Sequence, residues 1–294
     1  MHHLNQCPVC YSESLKNAFS CVDYTTTQET FQIQSCNQCS FVFTNPRPAD
    51  EQLGKYYESK DYISHTNSQK GLFNRVYQLV RNFAIESKFN LVNKLNSNGL
   101  ILDYGCGTGE FLGYVQKRGR TVLGVEPSDA ARQQAIQNHQ LNVRSLDQFS
   151  EIPDHSASII SLWHVLEHVP NLRETLSKFH RILQDQGHLV IAVPNCSSLD
   201  AEMYGPIWAG YDVPRHLWHF TPKTMKALVE SEGFNLLTMK GMPFDSFYVS
   251  MLSEKYKTGK MNPIRAFFNG LKSNWNARKD SGKTSSVIYI FQKK

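Results

Sequence analysis

Four of the seven cysteines in this 294-residue chain stand in two pairs, Cys7-Pro8-Val9-Cys10 and Cys36-Asn37-Gln38-Cys39. Two residues between thiols let a tight turn aim both sulfurs at one point. The stretch from Tyr11 to Ser35 is long enough for a hairpin that brings the second pair back to the first. Four thiolates so placed suit a closed tetrahedral Zn2+ site with no position for water or substrate, so the expected role of Cys7, Cys10, Cys36 and Cys39 is structural. Two disulfides are the competing assignment. Met1-His2-His3-Leu4 is followed too soon by Cys7 to hold a secretory signal, which predicts a reducing, cytoplasmic setting and argues for metal. Cys21 and Cys196 read as small buried hydrophobes.

A second constellation is Leu102-Asp103-Tyr104-Gly105-Cys106-Gly107-Thr108-Gly109, followed by Val122-Leu123-Gly124-Val125-Glu126. Each apolar run predicts a strand, and ligands of open α/β sheets lie at strand carboxyl ends. Gly105, Gly107 and Gly109 permit a tight turn with close backbone approach, and Glu126 can accept bonds from two ribose hydroxyls. That spacing alone establishes only an adenosine ribose. A dinucleotide site would need a third glycine where Glu110 stands, in the first turn of the following helix. A carboxylate there repels pyrophosphate. Asp103 adds a second negative group, so the charges favour S-adenosylmethionine, with its cationic amine and sulfonium, over NAD.

Methyl transfer from such a donor is an in-line displacement that rests on holding acceptor and methyl in line, with a base where the acceptor is a hydroxyl or an acidic carbon. Tyr211-Asp212-Val213-Pro214-Arg215-His216-Leu217-Trp218-His219-Phe220 is the richest source of such groups. His216 and His219, three apart, are the candidate catalytic residues, and Arg215 a candidate ligand for a substrate carboxylate or phosphate. The competing assignment is that these side chains bond backbone and shape the loop. His164 and His168 read as pocket wall and helix-end partner.

These residues need a frame. Strand-like runs at Leu100–Asp103, Val122–Glu126, Ile159–Trp163 and His188–Val193 alternate with helical patterns near Phe111–Arg118, Asp129–Asn138 and Leu172–Leu183. Thr221-Pro222 opens a further helix, Gly233 closes it, and strands Phe234–Lys240 and Val287–Gln292 follow. The fold class is α/β, a Rossmann-like doubly wound sheet. Before it, residues 1–48 form a zinc ribbon ending in the strand Phe41-Val42-Phe43. Residues 49–98 form a helical linker in which Tyr57, Tyr62 and His65 are candidate lid residues. The methyl-transfer domain then spans 99–294 and includes a helical cap insertion at 241–286. In that insertion Ile264, Phe267, Phe268, Leu271 and Trp275 recur at helical spacing, which predicts core packing first and subunit or membrane contact second.

Charge is uneven. Between 255 and 283, Lys255, Lys257, Lys260, Arg265, Lys272, Arg278, Lys279 and Lys283 face only Asp280, so this stretch carries +7 and the remainder −2 of the net +5. It reads as a solvated helical face, or as a peripheral contact with an anionic membrane. The ribbon has Lys16 and Arg47 against Glu13, Asp23 and Glu29, the wrong balance for phosphates, so nucleic acid is not an expected partner. No apolar run approaches the roughly 20 residues of a transmembrane helix.

Leu102–Leu112, Gly124-Val125-Glu126-Pro127, Trp163-His164-Val165-Leu166-Glu167-His168 and Val193-Pro194-Asn195 resemble, in this order, the successive motifs of class I S-adenosylmethionine-dependent methyltransferases. The resemblance covers roughly residues 99 to 240. With the two cysteine pairs and Asn45-Pro46-Arg47-Pro48, the chain looks most like bacterial zinc-ribbon methyltransferases of small molecules, some of which modify nucleotide-linked sugars. The resemblance implies Asp103 and the Gly105-Cys106-Gly107 backbone beside the methionine part of the donor and Glu126 on the ribose. It further implies Leu146 and Asp147 beside the adenine, with Trp163 and His164 lining the donor pocket. Many relatives carry an aspartate where this chain has Ser158. The expected function is O- or C-methylation of a small-molecule acceptor, a sugar derivative or lipid-like metabolite. A ribosomal RNA methyltransferase and a non-catalytic cofactor-fold module are the alternatives.

Overall fold

The computed structural model describes residues 1–57, 72–96 and 98–294, with backbone alone for 72–77 and 79. Tyr62 and His65 of the expected lid lie outside the described residues, as do the side chains of Leu72, Val76 and Leu79. The N-terminal module is a hairpin of β1 (Leu15–Val22) and β2 (Thr30–Cys36), with β3 (Val42–Thr44) paired antiparallel to β2. A short 3-10 segment, Asp50–Tyr57, leads toward α1 (Leu72–Leu95).

The body alternates as its apolar runs predict. β4 (Leu100–Tyr104), α2 (Glu110–Gln116), β5 (Val122–Val125), α3 (Asp129–His139) and β6 (Val143–Arg144) are followed by β7 (Ala157–Trp163), α4 (Leu172–Ile182) and β8 (Leu183–Pro194). After α5 (Leu199–Tyr204) and the two-residue β9 (Trp218–His219) come α6 (Pro222–Ser231), β10 (Phe234–Gly241), α7 (Asp245–Thr258), α8 (Pro263–Ala277) and β11 (Ser286–Lys293). The seven-stranded sheet has the order β10-β11-β8-β7-β4-β5-β6, parallel from β8 to β6 and antiparallel through β11 and β10. β5 is buried throughout and β7 at every residue before Trp163, the continuous apolar run of strands covered on both faces. Leu91 and Val92 of α1 and Phe111, Leu112 and Val115 of α2 fill one face; Leu176 and Phe179 of α4 and Leu228 and Val229 of α6 fill the other. Ser128 caps α3 by accepting from the Ala131 amide, and a Thr221–Thr224 capping box starts α6 ahead of Pro222.

Two features were not legible in the chain. First, β9 leaves the body to pair with β3, setting Val42 opposite His219 and Phe43 opposite Trp218, so the ribbon sheet has the order β1-β2-β3-β9. Phe41, Phe43, Trp218 and Phe220 stack across this junction, and Cys7, Val9 and Cys36 share a buried cluster with α4 and α6. The Arg173 guanidinium of α4 donates to the Pro8 and Val9 carbonyls inside the first cysteine turn. The ribbon is therefore a wall of the body.

Second, α8 is amphipathic in the reverse sense. Ala266, Gly270, Ser273 and Ala277 face inward, while Ile264, Phe267, Phe268, Leu271 and Trp275 are exposed. Core packing of those five, the first expectation, does not hold. The reason is the closeness of α8 to α7: a Cβ on Gly270 would meet the Phe247 ring at 2.7 Å. Only the small face of α8 fits there.

Candidate functional site

At the ends of β4, β5 and β7 the glycine turn meets three acids and an indole. Gly105 has φ 76° and passes so close to Val165 that a Cβ would lie 2.5 Å from its methyl, whereas Gly107, φ 55°, has open space. Glu126 is buried; one carboxylate oxygen accepts from the Gly107 amide at 2.9 Å and the other from Ser128 at 3.0 Å. The turn and the acid after β5 are thus held as one unit, with Cys106 between the glycines. Asp103 is buried and accepts from the Ser161 hydroxyl at 2.6 Å. Burial pushes its carboxyl up to about 7, with the Glu126 charge adding to the shift and Ser161 and Lys88 opposing it. Glu110 opens α2 and pairs with Arg81 at 3.0 Å, so an arginine offsets part of its charge.

Lys88 of α1 adds a positive charge beside these acids. Its ammonium sits 4.6 Å from the centre of the Trp163 ring, in the fields of Asp103 and Asp245. A cation fits between this aromatic face and these carboxylates. Trp163 Nε1 is buried with no partner among the described residues, a donor available to a ligand. Leu146 is exposed, and Asp147 begins the 3-10 turn after β6.

His164 follows β7 in the left-handed region, φ 59°, and lines a recess. Its Nε2 lies 3.0 Å from Asp245 at the start of α7, and its Nδ1 3.6 Å from Glu167. Burial alone would lower its pKa, but the two carboxylates raise it to about 10, so His164 is an imidazolium at neutral pH. The same contacts hold Glu167 and Asp245 below the usual carboxylate range against the desolvation that would raise them.

That recess has a volume of about 560 Å3 and is walled by three parts of the chain: Tyr24 and Thr25 of the ribbon, His164, Glu167 and His216 of the body, and Tyr248, Leu252 and Met261 of the cap. Glu167 is fully buried and neither oxygen has a hydrogen-bond partner among the described residues. His216 Nδ1 lies 2.8 Å from the Gly210 carbonyl, which can only accept, so Nδ1 carries a proton, and Nε2 lies 4.0 Å from Glu167 and from Asp212. His168 is likewise anchored through Nδ1 on the Arg215 carbonyl, with the Tyr57 hydroxyl at 3.1 Å; burial, then the neighbouring His216, push it down to about 4. One ligand atom from each of Glu167, His168 and His216 falls within 4.8 Å of the others, close enough for a cation.

Two loop expectations are corrected. His219 lies inside the ribbon–body sheet, with Nε2 3.2 Å from the Thr44 hydroxyl, and it does not line the recess. Burial pushes it down to about 3. Arg215 is not free for substrate: its buried guanidinium pairs with Asp23 at 3.0 Å and Asp212 at 2.6 Å and donates to the Tyr56 carbonyl. Reasoning on the sequence singled out none of Glu167, Lys88 or Asp245 as site residues. Glu167 had a signal, an acid inside an apolar motif; Lys88 and Asp245 had none.

At the ribbon tip, Cys7 and Cys39 sulfurs are 3.5 Å apart, as are Cys10 and Cys36, and all four lie within 4.8 Å of one another. Tetrahedral zinc with bonds of about 2.3 Å would set sulfurs about 3.8 Å apart, within the range these four thiols span.

A doubly wound sheet carrying a glycine turn, a ribose-type acid and an adjoining recess defines a nucleoside-binding α/β protein, and comparison narrows the class. The family described as "Methyltransferase domain" matches residues 73–239, more than half of the chain, and the chain belongs to that family. A SAM-dependent methyltransferase from Archaeoglobus fulgidus superposes with a TM-score of 0.52 at 20% identity, covering 72% of this chain and 94% of its own. The fold is accordingly that of these methyltransferases. The human mitochondrial ubiquinone biosynthesis O-methyltransferase is 27% identical over 165 residues, 50% of this chain and 44% of that protein. A malonyl-[acyl-carrier protein] O-methyltransferase from Yersinia pestis is 27% identical over 168 residues, 56% and 57% of the two chains. The chain thus spans about half the length of the curated relatives it matches.

Proposed function

We propose that this protein transfers the methyl group of S-adenosylmethionine to an oxygen or acidic carbon of a small-molecule acceptor held in the 560 Å3 recess. The observation that carries the reading is a recess walled by Glu167, His216 and His164, the last next in the chain to Val165, which packs on Gly105 of the acid-lined turn. When bound, the donor supplies an electrophilic methyl on sulfur. Asp103 and Glu126 hold its cationic and ribose ends, and Trp163 and Lys88 bound the space beside them. His216 Nε2 accepts the proton released by the acceptor as its oxygen or carbon bonds to the methyl, and Glu167 stabilises the imidazolium so formed. The relatives named as O-methyltransferases support oxygen as the attacking atom, and the mixed polar and apolar walls suit a sugar derivative or lipid-like metabolite. In the same reading Cys7, Cys10, Cys36 and Cys39 bind structural zinc, keeping Tyr24 and Thr25 in the recess wall.

The deciding experiment is incubation with methyl-labelled donor and fractionated small-molecule extract, with mass spectrometry of every labelled species. A labelled small molecule is expected. Donor binding by calorimetry with no labelled fraction would leave a cofactor-binding module, and label appearing only in RNA would replace the acceptor class.

A further inference from the structure

Among the described residues the outward face of α8 is left uncovered. Ile264, Phe267, Phe268, Leu271 and Trp275, at i, i+3, i+4, i+7 and i+11, make one stripe along the helix, and each is between 46% and 73% exposed. Met261, just before the helix, and Tyr248 on α7 extend it, at 55% and 50% exposed. Stacked rings order it: Phe247 against Phe267 at 5.5 Å, and Phe267 edge-on to Phe268 at 5.8 Å. Such a face at the surface of a folded protein marks a contact.

The charges beside the stripe point to what it contacts. Lys260, Arg265, Lys272, Arg278 and Lys279 are exposed within or next to α8, no acid lies between Lys255 and Lys279 in the chain, and the Arg278 guanidinium stacks on Trp275 at 4.2 Å. Arg265 is 3.9 Å from Glu254, so among the described residues Lys260, Lys272 and Lys279 carry most of the rim's charge. A second copy of the chain would oppose this cationic rim with an identical one. A large apolar stripe, a rim of one positive sign and an indole beside an arginine match an interfacial helix lying on an anionic bilayer. We propose that α8 docks the protein onto anionic lipid, with the stripe in the headgroup layer and the lysines on lipid phosphates. Tyr248 and Met261 belong both to the stripe and to the wall of the recess, so docking sets the recess mouth against the bilayer and within reach of an amphiphilic acceptor.

The test is flotation of the full-length protein with vesicles of phosphatidylcholine alone or mixed about 3:1 with phosphatidylglycerol, at low and high salt. The protein should float with the anionic vesicles alone and be released by salt. Lys260→Gln, Lys272→Gln and Lys279→Gln together should cut partitioning roughly a hundredfold, at about fivefold per basic residue near an anionic surface. Phe267→Ser with Phe268→Ser and Trp275→Ser should abolish it. All six side chains are exposed, so each variant should keep its melting temperature and its affinity for the methyl donor, which separates this proposal from the methyltransferase reading. Absence of flotation, equal flotation with neutral vesicles, or concentration-dependent dimers lost in the Phe267→Ser set each overturns it.

Discussion

Arg215 offers the sharpest test of whether the loop after α5 grips substrate or anchors the ribbon. Its guanidinium is 1% exposed and pairs with Asp23, at 0%, and Asp212, at 21%, while also bonding the Tyr56 carbonyl. Desolvation opposes the charge, yet the two carboxylates raise the guanidinium further and hold Asp212 below its ordinary range. Arg215→Met keeps much of the volume but strands the Asp23 carboxylate, which already accepts from Thr25, Thr26 and Thr27 and loses its counter-ion. Breaking a buried pair from one side costs about 3–5 kcal/mol, which at roughly 2–4 °C per kcal/mol is a drop in Tm of roughly 6–20 °C. Adding Asp23→Asn should recover a large part of that loss, because the orphaned charge goes with it. Calorimetry at neutral pH measures both. The sign in acid follows from Asp212: its folded pKa is depressed, so its contribution is complete above about pH 4 and is lost as pH falls through the folded value. A Tm within about 2 °C of the parent, with a raised acceptor KM, would refute the structural assignment and return Arg215 to substrate binding.

Because burial holds the Asp103 carboxyl near 7, affinity for the cationic donor should rise as pH increases from 6 to 8, about where the group ionises; Asp103→Asn should bind more weakly and without that dependence, as titration calorimetry at several pH values would show. His216→Ala should lower kcat by about 10^2 to 10^4 with donor affinity unchanged. His219→Ala should lower Tm and leave kcat close to the parent's, since its ring bonds Thr44 inside the ribbon–body sheet; the reverse pattern would move the base to His219. Purified protein should carry one zinc by elemental analysis. Cys36→Ser should lose it and lower the Tm of the body as well, because β3 is paired to β9; a body melting unchanged would show the ribbon to be independent.

Much of the glycine turn was readable from local pattern. The residues of one turn and of two strand ends are close in the chain, so Asp103, Gly105, Gly107 and Glu126 announce themselves by spacing, and the structure adds that Glu126 holds the turn through the Gly107 amide. The recess is different. His216 stood out only as one histidine among several in a polar loop. What separates it from His219 is a two-residue strand too short for any pattern, which turns His219 into the ribbon sheet while His216 Nδ1 is fixed by the Gly210 carbonyl. The reversed face of α8 escaped for a related reason. Periodicity shows that one side of a helix is apolar, but which side meets the protein depends on how closely a neighbour approaches, here through Gly270 against Phe247.

The sequence by itself determined the parallel sheet, the acid-lined glycine turn and the two cysteine pairs, because each arises from contacts within a few residues or within one strand–helix unit. Only the tertiary structure decided that the ribbon is a wall of the recess, that Arg215 is a buried tie and His216 the imidazole facing the recess, and that a cationic, aromatic face is left outward. Those outcomes rest on pairings between residues far apart in the chain, such as Asp23 with Arg215 and Val42 with His219. No local periodicity encodes them.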